Sequence, residues 1–203
     1  MVDLSRPDNS EYDKGRSFLT RALWYFVGFP LVRSYYLPIS ALKATVLKIF
    51  GARIGKGVYL KPGIKIKFPW YLSVGDCCWL GEDVWIDNLA EVTIGSHVCI
   101  SQGAYLCTGN HDWKTPSMKL FRKPVTLEDG SWIGAKAVLC PGVVVGREAI
   151  VTVASVVTRD VPSGQIWTGN PAQFARCRYP GRGLESDSLD PAIEYESVAH
   201  ILE

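Results

Sequence analysis

Aliphatic residues recur at every sixth position through the middle of this chain. The series falls into five sets of three, and every member is Ile, Leu or Val. The members are Ile54, Leu60, Ile66, Val74, Leu80, Ile86, Ile94, Ile100, Leu106, Leu127, Ile133, Leu139, Val145, Val151 and Val157. A period of six matches neither the 3.6-residue turn of an α-helix nor the two-residue alternation of a half-buried strand. It is typical of short strands joined by tight corners, each strand directing one aliphatic side chain inward.

Three such hexads close one triangular coil of about eighteen residues, so the five sets predict five stacked coils. Stacked coils form three parallel sheets, and they bury a core only through contact with neighbouring coils. The predicted fold class is therefore all-β, a parallel β-helix of about five coils over residues 54–162. An N-terminal helical cap over residues 1–53 precedes it. A C-terminal extension with a polar tail, residues 163–203, follows it.

Interruptions of the six-residue period fall in register with one another. Two extra residues precede Val74, two more precede Ile94, and a long insertion at about residues 108–126 precedes Leu127. Each interruption follows the third hexad of its coil. All three are therefore expected along one corner of the β-helix, with the longest protruding as a loop.

The inserted loop opens with the stretch "CTGNHDW", which contains His111, one of three histidines in the chain. Neighbouring parallel strands lie about 4.8 Å apart. The hexad one coil earlier should therefore place Asp87, Asn88 and Glu91 on the face from which the loop departs. A histidine beside an amide and two carboxylates at the entrance of a loop predicts a functional site.

The open ends of a β-helix need covers, because an exposed sheet edge invites pairing with other chains. Residues 17–50 favour helix, are rich in Trp, Tyr, Phe and Leu, and end at Gly51; we expect them to cover the first coil. The longest uncharged run in this region, residues 22–32, is much shorter than the roughly 20 apolar residues that a bilayer requires. No transmembrane span is expected, and peripheral membrane contact by the aromatic residues 24–36 is the alternative to a purely packed cap.

The composition of the chain argues against nucleic-acid binding, a zinc-finger site and secretion. The chain is 47% hydrophobic and 21% charged, as in ordinary globular proteins, and its net charge of +2 gives no general attraction to nucleic acid. The six cysteines include no CxxC pair and no zinc-finger spacing. The N-terminus is polar, without the apolar segment of a secretory signal. We expect reduced thiols in a cytoplasmic protein.

Several motifs carry a family resemblance. The stretches "TGNHDW", "SWIGAKAVLCPGVVVG", "SVVTRDVP" and "GNPA" resemble the hexapeptide-repeat acyltransferases. Together with "LSRPDNSEYDKGRS", "IGKGVYLKPGIKIKFPW" and "VWIDNLAEVTIGSHVCISQGAYLCTGNHDW", they resemble the colanic acid biosynthesis acetyltransferases in particular, over about residues 3–177. The resemblance implies a left-handed parallel β-helix, a homotrimer, and acetyl-CoA bound in grooves between subunits.

The same resemblance implies roles for individual residues. The catalytic histidine corresponds to His111, and the asparagine that contacts the acceptor sugar corresponds to Asn88, beside Asp87. The coenzyme contacts correspond to Trp132, Ala135 (whose backbone amide would face the thioester), Val153, Thr158, Arg159 and Arg176. The chain departs from the family pattern at Val153, where a small residue is usual, and at Gln173, where a second basic residue often follows "NPA".

The chemistry of acetyl transfer is consistent with these residues. A sugar hydroxyl that attacks a thioester needs a base that works near neutral pH, and imidazole is such a base. A backbone N–H, for which Ala135 is the candidate, can hold the oxyanion. Asp112 either orients the imidazole or is a solvated loop acid. Arg159 either binds a coenzyme phosphate, which the motif favours, or forms a salt bridge at a corner.

Two other kinds of site are less consistent with the sequence. Cys107 precedes His111 by four residues, which raises the hypothesis of a Cys-His site with a thiol nucleophile. The third hexad is extended and keeps the two residues apart, so we expect a packing role for Cys107. A zinc site like that of the β-helical carbonic anhydrases needs converging histidines, and no second histidine is expected near His111. No metal is predicted.

The sequence therefore predicts an O-acetyltransferase that moves acetyl from acetyl-CoA to a hydroxyl of an exopolysaccharide sugar, in a direct ternary complex with a histidine base. The alternative is a non-catalytic β-helix that serves as a binding or assembly scaffold.

Overall fold

The computed structural model describes residues 5, 8 and 12–180. The helices are α1 (Phe18–Leu23), a π-helical turn (Trp24–Gly28), α2 (Phe29–Arg33) and α3 (Ser40–Ile49), and a 3-10 turn spans Pro69–Tyr71. The first nine strands are β1 (Arg53–Ile54), β2 (Tyr59–Leu60), β3 (Lys65–Ile66), β4 (Leu72–Val74), β5 (Trp79–Leu80), β6 (Trp85–Asp87), β7 (Val92–Ile94), β8 (Cys99–Ile100) and β9 (Tyr105–Cys107). The remaining strands are β10 (Gly109–Asp112), β11 (Lys119–Arg122), β12 (Val125–Leu127), β13 (Trp132–Ile133), β14 (Val138–Leu139), β15 (Val144–Val145), β16 (Ile150–Val151), β17 (Val156–Val157), β18 (Gln165–Gly169) and β19 (Ala172–Cys177).

Three sheets form the walls of a parallel β-helix. The first sheet has the order β1-β4-β7-β12-β15, the second β19-β18-β16-β13-β8-β5-β2, and the third β17-β14-β9-β6-β3. Equivalent residues of successive coils lie side by side, as Val74 beside Ile94 in the first sheet. All fifteen aliphatic residues of the six-residue series are buried, the most exposed being Ile54 at 8%. The prediction of stacked coils around one aliphatic core is confirmed.

The β-helix has about six turns, one more than predicted. Val161 bridges Val145 on the first sheet, and β18 continues the second sheet parallel to β16. The inward-facing residue of β18 is Trp167, which is 7% exposed. The sixth turn was missed because its inward residue is aromatic and because Val161 follows Val157 by four positions instead of six. The boundary predicted at residue 162 therefore falls inside the last turn.

Tight stacking explains the glycine that often follows an inward aliphatic residue. A Cβ atom added to Gly75 would lie 2.6 Å from the backbone carbon of Gly95 in the next coil, closer than real Cβ contacts. The corners also require residues with positive φ. His97, at φ 58°, occupies such a corner position.

The N-terminal helices pack over the first coil, as expected for a cap. Trp24, Val32 and Leu47 join the β-helix core. Lys43 of α3 is also fully buried, and its ammonium donates to the carbonyl oxygens of Ser34 (3.2 Å) and Lys61 (3.3 Å), which ties the helix to the first coil. Burial lowers the pKa of Lys43. Among the described helices, none has the length and apolarity to cross a membrane.

The inserted loop folds into an antiparallel hairpin of β10 and β11, which projects from the corner between the third and first sheets. Arg122 in β11 donates to the carbonyls of Leu89 (2.9 Å) and Asp13 (3.1 Å). Trp70 donates to the carbonyl of Lys14 at 3.0 Å. The segment of residues 12–14 thus lies across the hairpin and the corner from which it departs.

Candidate active site

The imidazole of His111 is oriented by a backbone carbonyl. His111 lies in β10 opposite Leu120, and its Nδ1 is 2.6 Å from the carbonyl oxygen of Met118. A carbonyl oxygen only accepts hydrogen bonds, so Nδ1 carries the proton and Nε2 of the neutral ring keeps its lone pair. The His111 side chain is exposed. In the neutral ring, the free Nε2 is therefore available as a general base requires.

A cavity of about 500 Å³ adjoins this imidazole. Its lining comprises Tyr12, Lys14, Lys67, Leu89, His111 and Leu120. Three parts of the chain thus contribute: the segment before α1, the corner between the third and first sheets, and the hairpin. The combination of apolar, hydroxyl and charged groups around a base suits a polar small molecule such as a sugar.

Asp87 reaches this region through Lys67, one of the residues that line the cavity. The ammonium of Lys67 lies 2.9 Å from its Oδ1, a contact that is an ion pair and not a well-aligned hydrogen bond. Tyr105 donates its hydroxyl to Oδ2 at 3.2 Å. Burial and the negative charge of Asp87 raise the pKa of Tyr12 to about 12. Burial likewise raises the pKa of Tyr105. Both phenols therefore stay protonated at neutral pH and can donate hydrogen bonds.

Asn88 is buried at the corner between the third and first sheets, where it bonds to the backbone. It is fully buried, its Oδ1 accepts from the Phe68 amide at 2.9 Å, and its Nδ2 donates to the Phe68 carbonyl at 2.6 Å. Thr108, at the corresponding corner of the next coil, is also buried and donates to the Asp87 carbonyl at 3.0 Å. The structure thus brings Asp87 towards the site and leaves Asn88 without exposed surface. The extra residues at this corner leave backbone groups outside the sheets, and these side chains satisfy them.

Like Asp87 and Asn88, the remaining two predicted neighbours of His111 do not line the cavity. Glu91 pairs with Arg53 at 2.8 Å. Asp112 accepts from the amide of Lys114 at 3.0 Å, within the turn of the hairpin. The Met118 carbonyl, not Asp112, is the partner of the imidazole. No feature of the sequence marks this carbonyl, since every residue has one.

Cys107 lies on β9 and donates its thiol to the carbonyl of Gly109 at 3.0 Å. It is half-buried and does not line the cavity with His111. All six cysteines are free thiols. In the described part of the chain, no group of three or more His, Cys, Asp or Glu side chains could hold a metal ion.

Ala135 and Val153 lie at the corner between the second and third sheets, and Trp132 lies on the adjoining strand β13. Trp132 is 45% exposed and donates to the Ser101 hydroxyl at 2.9 Å, and Val153 is 65% exposed. The carbonyl of Ala135 accepts from Ala154, but its amide donates to no acceptor in the described part of the chain. Ala135 is half-buried, and its N–H can therefore donate a hydrogen bond to a ligand oxygen.

The other predicted coenzyme residues lie elsewhere. Thr158 and Arg159 are exposed at the corner between the third and first sheets, where the guanidinium of Arg159 lies over the Trp167 ring at 5.2 Å. Arg176 is exposed on β19, opposite Ile166. His111 projects from the same corner as Arg159 but from an earlier coil. Within one chain, His111 and the Ala135 amide thus occupy different corners of the triangle.

Fold and site together define a hexapeptide-repeat acetyltransferase. A hexapeptide-repeat acetyltransferase from Vibrio cholerae has a similar structure, with a TM-score of 0.72 and 25% identity over 79% of this chain and 92% of that chain. The structure of a Vibrio cholerae hexapeptide-repeat acetyltransferase in complex with acetyl-CoA has a TM-score of 0.73 and 24% identity. The match covers 87% of this chain and 98% of that chain.

Sequence similarity identifies the family more narrowly. The Escherichia coli (strain K12) protein named "Putative colanic acid biosynthesis acetyltransferase WcaF" is 34% identical over 178 residues, 88% of this chain and 98% of its own length. The chain belongs to this family of colanic acid biosynthesis acetyltransferases. The galactoside O-acetyltransferase of the same organism is 24% identical over 137 residues, 66% of this chain and 68% of its own length. No family model matches the chain.

Proposed function

We propose that this acetyltransferase moves acetyl from acetyl-CoA to a hydroxyl of an exopolysaccharide sugar, with His111 as the general base. The observation that carries the proposal is the 2.6 Å contact between His111 Nδ1 and the Met118 carbonyl, beside a cavity of about 500 Å³. An oriented base next to a cavity is the arrangement that alcohol activation requires, and a passive scaffold does not need it.

The reaction is a direct transfer between two bound substrates. The acceptor hydroxyl gives its proton to His111 Nε2 as its oxygen bonds to the thioester carbon. The carbonyl oxygen becomes an oxyanion, which the Ala135 amide stabilises. The C–S bond then breaks, and the departing thiolate takes the proton from the imidazolium. The products are an acetyl ester and CoA, and the enzyme returns to its starting state.

The acceptor occupies the cavity beside Asp87. The Asp87 side chain is 15% exposed although its Oδ1 is buried, and Oδ2, which accepts from Tyr105, can accept a second hydrogen bond from a sugar hydroxyl. Asn88 contributes by holding the corner that carries Asp87, through its two bonds to Phe68. We therefore assign acceptor contact to Asp87 and a supporting role to Asn88.

The active enzyme is proposed to be a homotrimer with its sites between subunits. His111 of one subunit and Ala135 of the next can then meet, although they lie on different corners of one chain. The outward side chains of the sheets support this. Those of the first sheet are polar except for Val144, with Arg53, Ser73, Thr93 and Thr126, whereas those of the second sheet are largely apolar, with Tyr59, Trp79, Cys99 and Trp132. Exposed apolar ladders of this kind are typical of subunit contacts.

We place the enzyme in the cytoplasm, where acetyl-CoA is available and thiols stay reduced. The coenzyme is proposed to contact Trp132, Ala135, Val153, Thr158, Arg159 and Arg176, with no metal in the reaction. The exposed guanidinium of Arg159 suits a coenzyme phosphate.

Arg159→Ala should weaken CoA binding by about 1.5 to 3 kcal/mol, because a charge-assisted contact to phosphate is lost. Calorimetric titration with CoA and with 3′-dephospho-CoA measures the effect, and the variant should no longer discriminate between the two. Arg147→Ala is the matched control, since Arg147 is exposed at a different corner and lies 3.6 Å from Asp129. Unchanged affinity for both ligands in Arg159→Ala would rule out the phosphate contact.

The function itself is tested with acetyl-labelled acetyl-CoA and a panel of free, nucleotide-linked and lipid-linked sugars. We expect label to appear on a sugar hydroxyl as an ester that mild alkali removes. Label on an amine, or thioester cleavage that no acceptor stimulates, would contradict the proposal. Absence of any cleavage would support the scaffold alternative.

A further inference from the structure

The helical cap has an apolar outer face that no described part of the chain covers. The helix from α1 through α2 packs onto the β-helix with Trp24, Gly28 and Val32. On its other side the exposed large hydrophobic residues are Phe18 (77%), Leu19 (67%), Leu23 (50%), Tyr25 (66%), Phe26 (74%), Val27 (50%) and Leu31 (43%). An ordinary surface helix is polar on its outer side. We call this set the outer face of the cap.

The cap end of the molecule is also strongly basic. From Lys14 to Gly75 the sequence contains eleven Lys and Arg residues and no Asp or Glu, so this segment carries a charge of +11 and the rest of the chain −9. The overall charge of +2 conceals this asymmetry. Of the eleven, Lys43 is buried, and Arg53 and Lys67 pair with acidic residues of later coils. Three more are exposed on the cap: Arg16 precedes α1, Arg33 ends α2 and Lys48 lies in α3.

These two features together decide what covers the outer face. A second copy of the chain would bring two basic ends together, and like charges repel. An anionic bilayer instead offers hydrocarbon to the apolar side chains and phosphates to the basic ones. Aromatic residues such as Tyr25, and Tyr36 at 99% exposure, are typical of the interface between headgroups and acyl chains. Helices too short to cross a membrane can still lie on one.

We propose that the outer face of the cap, with Arg16, Arg33 and Lys48, binds the surface of an anionic membrane. The helix lies in the headgroup layer and the β-helix extends away from it. The buried side of the same helix reaches the candidate active site, because Trp24 donates to the carbonyl of Lys67 at 2.9 Å and Lys67 lines the cavity. Membrane binding would therefore hold the cavity close to the bilayer.

Co-sedimentation of the full-length protein with lipid vesicles tests this proposal. We expect binding to phosphatidylcholine vesicles that contain phosphatidylglycerol, much weaker binding to phosphatidylcholine alone, and a loss of binding as salt concentration rises. Phe26→Glu, which places a charge in the outer face, should lower the partition coefficient about tenfold or more. Arg33→Glu should lower it in the anionic vesicles only.

Phe174→Glu is the matched control, because Phe174 is 53% exposed on β19, away from the cap, and the charge change is the same. It should bind vesicles like the unchanged protein. The proposal is overturned if the unchanged protein binds neither kind of vesicle, or if Phe26→Glu and Phe174→Glu bind equally well. A change of oligomeric state in Phe26→Glu, measured by sedimentation equilibrium without lipid, would instead identify the outer face as a protein interface and also overturn it.

Discussion

His111→Ala should lower kcat for acetyl transfer by about 100- to 10,000-fold, the usual contribution of a general base. The imidazole is exposed on a hairpin outside the β-helix core, so its removal should leave the fold intact. Coenzyme affinity should also persist, since the proposed coenzyme contacts come from other parts of the chain. Initial rates with saturating acetyl-CoA, together with a CoA titration of the variant, measure both effects.

Cys107→Ala is the informative control for this experiment. The Cys107 thiol donates to the Gly109 carbonyl and contributes packing, so the variant should keep most of its activity. A folded but inactive Cys107→Ala, an active His111→Ala and ping-pong kinetics would together establish a thiol nucleophile instead.

Ala135→Pro should reduce kcat by about 100- to 1,000-fold, the cost of losing one oxyanion-hole donor. Proline removes the amide hydrogen and leaves the rest of the turn in place. The repeat itself shows that the turn tolerates proline, because Pro62 and Pro141 also stand two residues after an inward aliphatic residue. The measurement is the initial rate of acetyl transfer at saturating substrate concentrations.

Glu82→Pro is the matched control, at the same turn position two coils earlier, and it should keep near-normal activity. Co-expression of Ala135→Pro with His111→Ala tests whether the site lies between subunits. Random mixing should restore about a quarter of full activity, because a site with His111 from one subunit and Ala135 from the next is intact at that frequency. If both residues came from one chain, mixing would restore nothing. That result would disprove the shared site.

Much of the fold could be predicted because a β-helix makes the same demand at every sixth residue. Each inward position must be apolar, so the fifteen aliphatic residues mark the core and the register directly. An insertion is tolerated only at a corner, which places the loop and His111. The sixth turn escaped prediction because Trp167 fills its inward position, and an aromatic residue does not continue an aliphatic pattern.

The candidate site was predicted in part. Position in the repeat was enough to bring Asp87 and His111 to one corner. It could not show that Asn88 turns inward to bond Phe68, because an amide at a corner can face either solvent or backbone. It also could not identify the Met118 carbonyl as the partner of the imidazole, since the fold of the hairpin determines which carbonyl approaches the ring.

By itself, then, the sequence determined the coil number to within one, the register of the sheets, the position of the loop and the basic charge of the cap end. These features depend on residue type at fixed spacing, and both can be read directly from the sequence. Only the tertiary structure decided which apolar residues outside the repeat are buried and which remain exposed. The cap helix carries apolar residues on all of its sides, and packing alone selected Trp24, Gly28 and Val32 as its inner side and left Phe18, Phe26 and their neighbours outside. Contacts between distant segments make that choice, because a helix that is apolar all round has no preferred face of its own.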